Sequence, residues 1–388
     1  MRVLHVTSYF APAFVYGGPP RSILGLCQAL ESAKVQIQVF TTTANGQVDF
    51  HESLEEFEYY QGIPVHYFPR VFPRRFYRAK GLASAIQAIN HRIDLLHIHG
   101  LWNLTAWAAA QQAIKLKLPY VISPRGMLDP GSIMHKSWRK RLAFPLIEKS
   151  NLLKASFLHA TSATEQAALK DHGFVDKVFV LPNGVQPDSV KLWPAGTFRK
   201  AHGLNESAKL VVFLGRIHPV KRLDLLAAAF TRLRQNVPAA RLIIAGPNEN
   251  DYRTALEPNF KQIKQAVLWL GEVDQDRKWA LLQDADALVM CSDSESFGVS
   301  VAEAMYAGLP VVVTRTCPWE EVETAQCGFW VKQDAQTIAD ALYYLLTHPL
   351  EAVAMGERGK KLALEKYSWE RIAAQMVKYY ELAVRSSK

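Results

Sequence analysis

Apolar and polar positions along this chain follow a repeating grammar. Short runs rich in Val, Ile and Leu alternate with stretches whose apolar residues recur every three or four positions. That alternation predicts βαβ units, in which a parallel sheet is covered by amphipathic helices. Residues 2–8 predict a strand, Gly17-Gly18-Pro19-Pro20 a turn, residues 22–30 a helix and residues 35–41 the next strand. The strand signal returns at Leu95–His99, Tyr120–Ser123, Phe157–Ala160 and 178–181, at intervals that leave room for helices.

Residues 187–209 are polar, punctuated by Pro and Gly, and show no period, after which the grammar restarts. Strands are predicted at 210–214, 241–245, 267–270, 287–291 and 310–314, and helices at 223–233, Val299–Tyr306, 337–346, 350–365 and 369–385. The fold class expected is α/β: two Rossmann-like domains, 1–190 and 191–388, with parallel sheets facing across a cleft. Ligands of open α/β sheets bind outside the carboxyl ends of the strands. The loops at 9–20, 99–103, 123–128, 215–221, 246–251 and 291–298 are therefore expected at the binding site.

The length of 388 residues agrees with two domains, since one hydrophobic core rarely serves so long a chain. A chain 49% hydrophobic and 21% charged excludes wholesale disorder, and its 21 Gly and 20 Pro lack a collagen period. The formal charge of +9 suits an anionic partner without naming it. It is unevenly spread: the first 190 residues hold 20 Lys and Arg against 13 Asp and Glu, about +7, which leaves about +2 for the remainder. The excess clusters at Arg70, Arg74, Arg75, Arg78 and Lys80, interleaved with Phe72, Phe76 and Tyr77, and at Lys136, Arg139, Lys140 and Arg141 beside Trp138. The first cluster reads as a solvated loop or as a surface for anionic lipid. Cys27, Cys291, Cys317 and Cys327 form no Cys-x-x-Cys pair, which favours core thiols in a reducing compartment. The start of the chain lacks a signal-peptide h-region, and no segment reaches about 18 uninterrupted apolar residues. The expected location is cytoplasmic, with the inner face of the cytoplasmic membrane as a peripheral site.

The most informative stretch runs from Ser292 through Glu295-Ser-Phe-Gly298 to Glu303 and Pro310. A strand, a polar turn and a helix opening near Gly298 make an anion site, because the first turn of a helix carries unpaired N–H groups and the positive dipole end. A diphosphate fits the amides of Phe297, Gly298 and Val299. Glu295 then lies outside the helix and Glu303 about 12 Å along it, at 1.5 Å per residue. That span suits a nucleotide sugar, with one acid on sugar hydroxyls and the other on ribose hydroxyls. Gly215-Arg216-Ile-His-Pro-Val-Lys221-Arg222 follows a strand and supplies the balancing cations: Arg216 a planar fork, Lys221 a compact charge. Departure of a diphosphate builds negative charge that such fixed cations stabilise, so no metal and no cofactor are expected.

Arg216 with Lys221, Glu295 seven residues short of Glu303, Pro182-Asn183-Gly184-Val185 and the early Gly17-Gly18 together resemble the family 4 retaining glycosyltransferases of the GT-B fold. The resemblance spans essentially the whole chain with the motifs in the family's order, and the Glu pair in its Ser-Phe-Gly setting is its specific part. It implies that Glu295 holds the donor sugar, Glu303 the ribose, and Arg216 and Lys221 the diphosphate. It also implies that the backbone around Val273 meets the base, and that the last helix, about 369–385, packs back on the first domain. The first domain then takes the acceptor, a glycan or lipid-linked hydroxyl, and the second the nucleotide-sugar donor. The resemblance implies retention of configuration, and because no carboxylate stands out as a covalent nucleophile, same-face attack with the leaving phosphate taking the acceptor proton is expected. Ser123-Pro-Arg-Gly-Met-Leu128 and Cys327-Gly-Phe-Trp-Val331 are similar to members that build exopolysaccharide and cell-surface polysaccharide. Many relatives carry His where this chain has Arg125. An always-charged guanidinium is no base at neutral pH, so Arg125 is expected to bind an anion or a sugar oxygen.

Other signals keep alternatives open. Gly17-Gly18 serves either a turn with positive φ or close approach of backbone to donor phosphates. His97 and His99 alternate on one strand face, but with no third ligand in sequence reach zinc is not expected. His99, at the strand's carboxyl end, is taken as a donor to substrate hydroxyls or phosphate. Asp274-Gln-Asp276 and Asp284-Ala-Asp286 match the Asp-x-Asp pattern of a different transferase fold, and the second precedes its strand, the wrong end for the site. The alternative readings are another GT-B activity, a nucleotide-sugar epimerase or sugar phosphorylase, or a non-catalytic phosphate- or nucleic-acid-binding protein. No sequence signature of a nucleic-acid module is present, so nucleic acid is not expected as a partner.

Overall fold

A computed structural model describes residues 1–50, 58–128, 147–185 and 193–386. The basic cluster at Lys136 to Arg141 and the expected boundary at 190/191 lie outside the described residues. The chain forms two compact units: Met1–Gly184 together with the residues from Trp369 onward, and Val185–Ser368. Both junctions fall at one place. The Val185 N–H donates to Tyr367 O at 2.6 Å and Val185 pairs with Ser368 as an isolated parallel bridge, so the chain leaves and re-enters the second unit side by side. The division comes before 190 because this bridge, rather than the polar composition that follows, marks where packing changes.

In the first unit, β1 (Arg2–Thr7), β2 (Gln36–Thr42), β3 (Ile63–Phe68), β4 (Leu95–His99), β5 (Tyr120–Ser123), β6 (Phe157–Ala160) and β7 (Val178–Val180) make a parallel sheet. Its order is 7-6-5-4-1-2-3, with Glu58–Tyr60 antiparallel on the β3 edge. Alternate residues serve the two faces. Val3, Ile37, Val39, Leu95 and Val121 enter one core, and Leu4, Val6, Leu96, Ile98 and Ile122 the other. The first face is closed by α1 (Gly18–Ser32), through Ile23, Leu26, Cys27 and Leu30.

The second unit repeats the plan with β8 (Lys209–Leu214), β9 (Ala240–Ala245), β10 (Val267–Gly271), β11 (Ala287–Met290), β12 (Val311–Thr314) and β13 (Gly328–Val331), ordered 10-9-8-11-12-13 and all parallel. Val211 and Phe213 face one core, Leu210 and Val212 the other. Helices α2 (Leu223–Asn236), α3 (Gln275–Asp284) and α4 (Val299–Tyr306) cover it together with Ala335–Thr347 and Pro349–Tyr367. The final helix, α5 (Trp369–Ser386), belongs to the first unit. Its Trp369, Ile372, Ala373, Met376, Tyr380 and Ala383 recur at helical spacing and join the core beneath α1. Gly25 and Gly184 make room for it: a Cβ added at either would lie 2.6 and 2.3 Å from the Trp369 ring.

Both sheets reverse direction of growth next to their first strand, between β1 and β4 in one unit and between β8 and β11 in the other. Loops leaving adjacent strands there turn to opposite faces, which opens a crevice in each unit at its own switch point.

Candidate active site

In the second unit the loop after β8 and the loop after β11 carry the predicted residues to one switch point. Register pairs Val212 with Leu288, so the two strands end side by side. Lys221 and Glu295 form an ion pair across it, with side chains 14% and 11% exposed. Ser292 Oγ also donates to Glu295 Oε1, at 2.7 Å. Both bonds use Oε1, and among the described residues Oε2 has no partner.

Arg216 lies in the same loop as Lys221 but pairs with Glu249, in the loop after β9, rather than with either expected acid. The 3-10 turn Pro219–Lys221 separates the two cations. His218 caps it, Nδ1 accepting from the Val220 N–H at 3.2 Å. Glu303, in the middle of α4, pairs with Lys278 of α3 at 2.5 Å. Three cation–carboxylate pairs thus line the carboxyl side of this sheet.

Gly298 caps α4 at φ +86°, the left-handed region where a side chain is strained. A Cβ there would stand 2.9 Å from Trp319 Nε1 and 3.1 Å from Met290 Sδ. Phe297 is buried against Trp319 and Tyr367, and its carbonyl accepts from Trp319 Nε1 at 2.5 Å. The Phe297 side chain therefore holds the helix start in place and is not itself offered to a ligand. Val299 packs on the same core, which leaves the opening amides of α4 as its polar feature. Val273 sits between β10 and α3 with its side chain in the core, so only backbone is available around it.

The first unit presents a different set. His5, His97 and His99 lie on one sheet face, since β1 and β4 pair His5 with His97 and Thr7 with His99. His5 is the third imidazole that sequence spacing did not supply, and one nitrogen from each ring lies within 4.8 Å of the others. Their bonding is that of a hydrogen-bonded network. His5 Nδ1 meets His99 Nε2 at 3.0 Å, and His97 bonds Tyr380 Oη at 2.6 Å and Ser123 Oγ at 2.7 Å. Ser123 bonds His159 Nδ1 in turn, whose Nε2 reaches Leu181 O, both at 2.7 Å. Burial drives all four imidazoles down, His5 and His159 to about 3, and nearby Arg125 adds to this in each. All four are neutral at pH 7.

His99, expected as a donor to substrate, is buried in this network. It is 2% exposed, and its second nitrogen accepts from Arg125 Nη2 at 3.2 Å, so both ring nitrogens are engaged within the protein. Arg125, at φ +58°, lies over it and donates through Nη1 to Asn183 Oδ1 at 2.7 Å. It also reaches Ser22 Oγ at 3.4 Å, one turn into α1. Gly17 caps that helix at φ +82° without a side-chain bond, and a Cβ on Gly18 would meet nothing within 4 Å. Pro182-Asn183-Gly184-Val185 is thereby explained locally: Asn183 takes Arg125, Gly184 admits Trp369 and Val185 makes the junction bridge.

Asp284 accepts from the N–H groups of Gly196, Phe198 and Arg199, and Asp286 pairs with Arg199 and Lys209. The Asp284-Ala-Asp286 match is therefore structural. Glu249, Lys278 and His5 escaped the sequence reading, because each acts through a partner distant in sequence.

Two family models divide the chain as the packing does. The description "Glycosyl transferase 4-like domain" matches residues 17–184 and "Glycosyl transferases group 1" matches 195–362. An uncharacterized glycosyltransferase of Methanocaldococcus jannaschii is 26% identical over 406 residues, 99% of each chain. The GDP-mannose:cellobiosyl-diphosphopolyprenol alpha-mannosyltransferase of Xanthomonas oryzae pv. oryzae is 25% identical over 398 residues, 99% of this chain and 97% of that one. Anabaena HepE, solved in complex with UDP and glucose, superposes with a TM-score of 0.79 at 22% identity, over 97% of this chain and 98% of that one. The chain belongs to the family 4 glycosyltransferases of the GT-B fold, a glycosyl transferase 4-like domain joined to a group 1 domain.

Proposed function

We propose that this enzyme transfers a sugar, with retention of configuration, from a nucleoside diphosphate sugar on the second unit to a hydroxyl of a lipid-linked or oligosaccharide acceptor on the first. The observation that carries the reading is the Lys221–Glu295 pair at the second switch point. It sets a cation beside a carboxylate that keeps one oxygen unpaired, next to a helix start. In the reaction the bond from the anomeric carbon to the diphosphate oxygen breaks, and a bond from that carbon to the acceptor oxygen forms on the same face. The acceptor proton passes to the leaving phosphate. Lys221, Arg216 and the opening amides of α4 stabilise the charge that grows on the diphosphate, and Glu295 orients the sugar through its hydroxyls. The residues present supply this charge without a cofactor in the proposed step. The Xanthomonas relative's lipid-linked acceptor, and the Ser123-to-Leu128 and Cys327-to-Val331 segments, support a role in surface polysaccharide synthesis.

A lipid-linked acceptor places the reaction at a membrane, and the first unit carries a fitting element. Arg70–Val71 pairs with Arg78–Ala79 as a short antiparallel hairpin. At its tip Phe72 is 83% exposed and Phe76 is exposed beneath Arg75, whose guanidinium lies 4.6 Å from the ring centre. Asp49 pairs with Arg70 and Arg74, while Arg75 at the tip, Arg78 on the returning strand and Lys80 just after it are exposed. Each basic residue near an anionic bilayer is worth about 1 kcal/mol.

Thermal-shift screening against UDP, GDP and ADP sugars identifies the donor, which raises the melting temperature by mass action. Proton NMR of the product then reads the anomer. An inverted product, or a covalent sugar adduct on any side chain, would refute the mechanism. Co-sedimentation with phosphatidylglycerol vesicles tests the hairpin. Binding is expected to need anionic lipid and to fall in F72S and in R75A/R78A/K80A. Equal binding to phosphatidylcholine vesicles, or to duplex DNA, would remove the membrane reading.

A further inference from the structure

Lys278 is an anomalous residue for a helix surface. It lies at the fourth position of α3, yet its side chain is 9% exposed, and its ammonium sits 4.9 Å from the Trp279 ring centre and 2.5 Å from Glu303 Oε1. Glu303 is itself only 14% exposed. Lysine is rarely buried to this extent unless paired. A buried ion pair is also a poor stability device, because well-packed apolar residues of similar volume do as well or better. The pair has an asymmetry that bears on function. Lys278 takes Oε1, and among the described residues Oε2 has no partner, so the carboxylate is anchored by one oxygen and open at the other.

We propose that Lys278 is the positioning residue for ribose recognition: by fixing Glu303 through Oε1, it presents Oε2 as the acceptor for the ribose hydroxyls of the donor nucleotide. The inference rests on the reading of Glu303 as the ribose ligand. A free glutamate loses rotamer entropy each time it binds a diol, whereas one already held by an ammonium at a fixed distance has lost it on folding. A carboxylate oxygen also suits the diol, since hydrogen bonds to charged acceptors exceed those to neutral ones. The position of Lys278 suits the task. It lies one turn after the Gly271-to-Asp274 loop, whose backbone around Val273 is the expected base contact, and so joins the base-reading and ribose-reading segments through one side chain. Asp274 caps this helix, accepting from the Arg277 N–H at 2.8 Å, which fixes the turn from which Lys278 projects.

The test measures binding of UDP, GDP and ADP, each beside its 2′-deoxy counterpart, to the full-length enzyme by calorimetry. The wild type is expected to prefer the ribonucleotide by about 10- to 100-fold for whichever base it takes. K278M and K278Q should lose most of that preference, to within about threefold, by weakening the ribonucleotide while leaving the deoxynucleotide unchanged. K278R should restore it. E303Q separates the two claims. If E303Q keeps the preference, Glu303 does not read the ribose and the underlying assignment fails. If E303Q loses it while K278M and K278Q keep it, the role given to Lys278 is overturned alone. A general loss of affinity for both nucleotide forms, or loss of a cooperative melting transition in both lysine variants, would make Lys278 a structural residue and also overturn the inference. Binding of none of the three diphosphates would remove the donor assignment and the inference with it.

Discussion

The two units share a strand order and place polar residues at the same topological position, but they fill it with different chemistry. At the first switch point four imidazoles, a serine, a tyrosine and one arginine bond chiefly to each other, and burial holds the imidazoles neutral. At the second, lysine and arginine side chains face glutamates that each use one oxygen for a cation. The first arrangement is largely satisfied within the protein and specifies one packing of the core. The second leaves carboxylate oxygens open beside its cations, in pairs that are mostly buried. Equivalent places in a shared architecture thus differ in kind: one is bonded mainly within the scaffold, and the other carries the acceptors that the proposed function gives to the ligand.

The largest consequence is in acid. A group whose folded pKa lies below its unfolded value gives stability that is present above the unfolded value and lost as pH falls. His5 and His159 fall from 6.5 to about 3, and His97 and His99 are also lowered by burial. The loss therefore begins near pH 6.5, where the unfolded chain starts to take up protons that the folded unit refuses, and continues toward pH 3. Each imidazole so excluded costs about 1.4 kcal/mol per pH unit in that window. Hydrogen exchange on β1 and β4 is expected to accelerate far more between pH 7 and pH 5 than exchange on β8 and β11, after correction for intrinsic rates. Equal acceleration in both sheets would erase the distinction between the units.

The next effect is on turnover. E295Q removes charge from the second switch point and is expected to lower kcat/KM by about 10²- to 10³-fold, the scale of losing one stabilising group in a preorganised site. H99Q, which keeps hydrogen-bonding atoms at the first, should stay within about threefold of wild type while melting at lower temperature. Steady-state kinetics beside thermal denaturation separate the two. If H99Q loses as much activity as E295Q, then His99 acts on substrate despite its burial, and the division of labour fails.

The pattern of apolar residues sufficed for most of this fold, since residues alternating on buried strands and recurring on helices are visible in one dimension. The final helix is an example: Trp369, Ile372, Ala373, Met376 and Tyr380 mark its buried stripe without reference to anything else. Strand β3 did not stand out because Pro64 near its start argues against a strand, and β13 because it is four residues opening on Gly. At the site, Glu295, Glu303, Arg216 and Lys221 were legible as a set because they flank two strand ends. Which cation meets which acid was not. Lys221 and Glu295 are 74 positions apart, Lys278 and Glu303 are 25, and Arg216 and Glu249 are 33, distances closed only by strand pairing and helix docking. The burial of His99 was equally hidden, because it depends on Arg125 from the neighbouring strand's loop folding over it.

The smallest effect isolates one group of opposite sign in the first unit. Glu148 is 2% exposed, and its Oε1 accepts from the Trp102 N–H at 2.7 Å, in the loop that follows β4. Burial raises its carboxyl from the ordinary 4.5 to about 7, against the smaller opposing pull of that amide. The folded state therefore holds this proton more tightly than the unfolded chain does. Its contribution is fully present below about pH 4.5 and is lost as pH rises toward 7, the reverse of the imidazoles. One carboxyl opposes four imidazoles, so the unit as a whole still gains stability with rising pH. In E148Q the amide oxygen still accepts from Trp102 and nothing titrates. The variant should therefore gain on the wild type as pH rises, by about 1 kcal/mol between pH 6 and pH 7. Urea melts at pH 5, 6 and 7 measure this difference directly. A difference between the two proteins that stays constant with pH would mean that Glu148 is ionised in the folded unit throughout, and that the first unit holds a buried carboxylate as well as the Arg125 guanidinium.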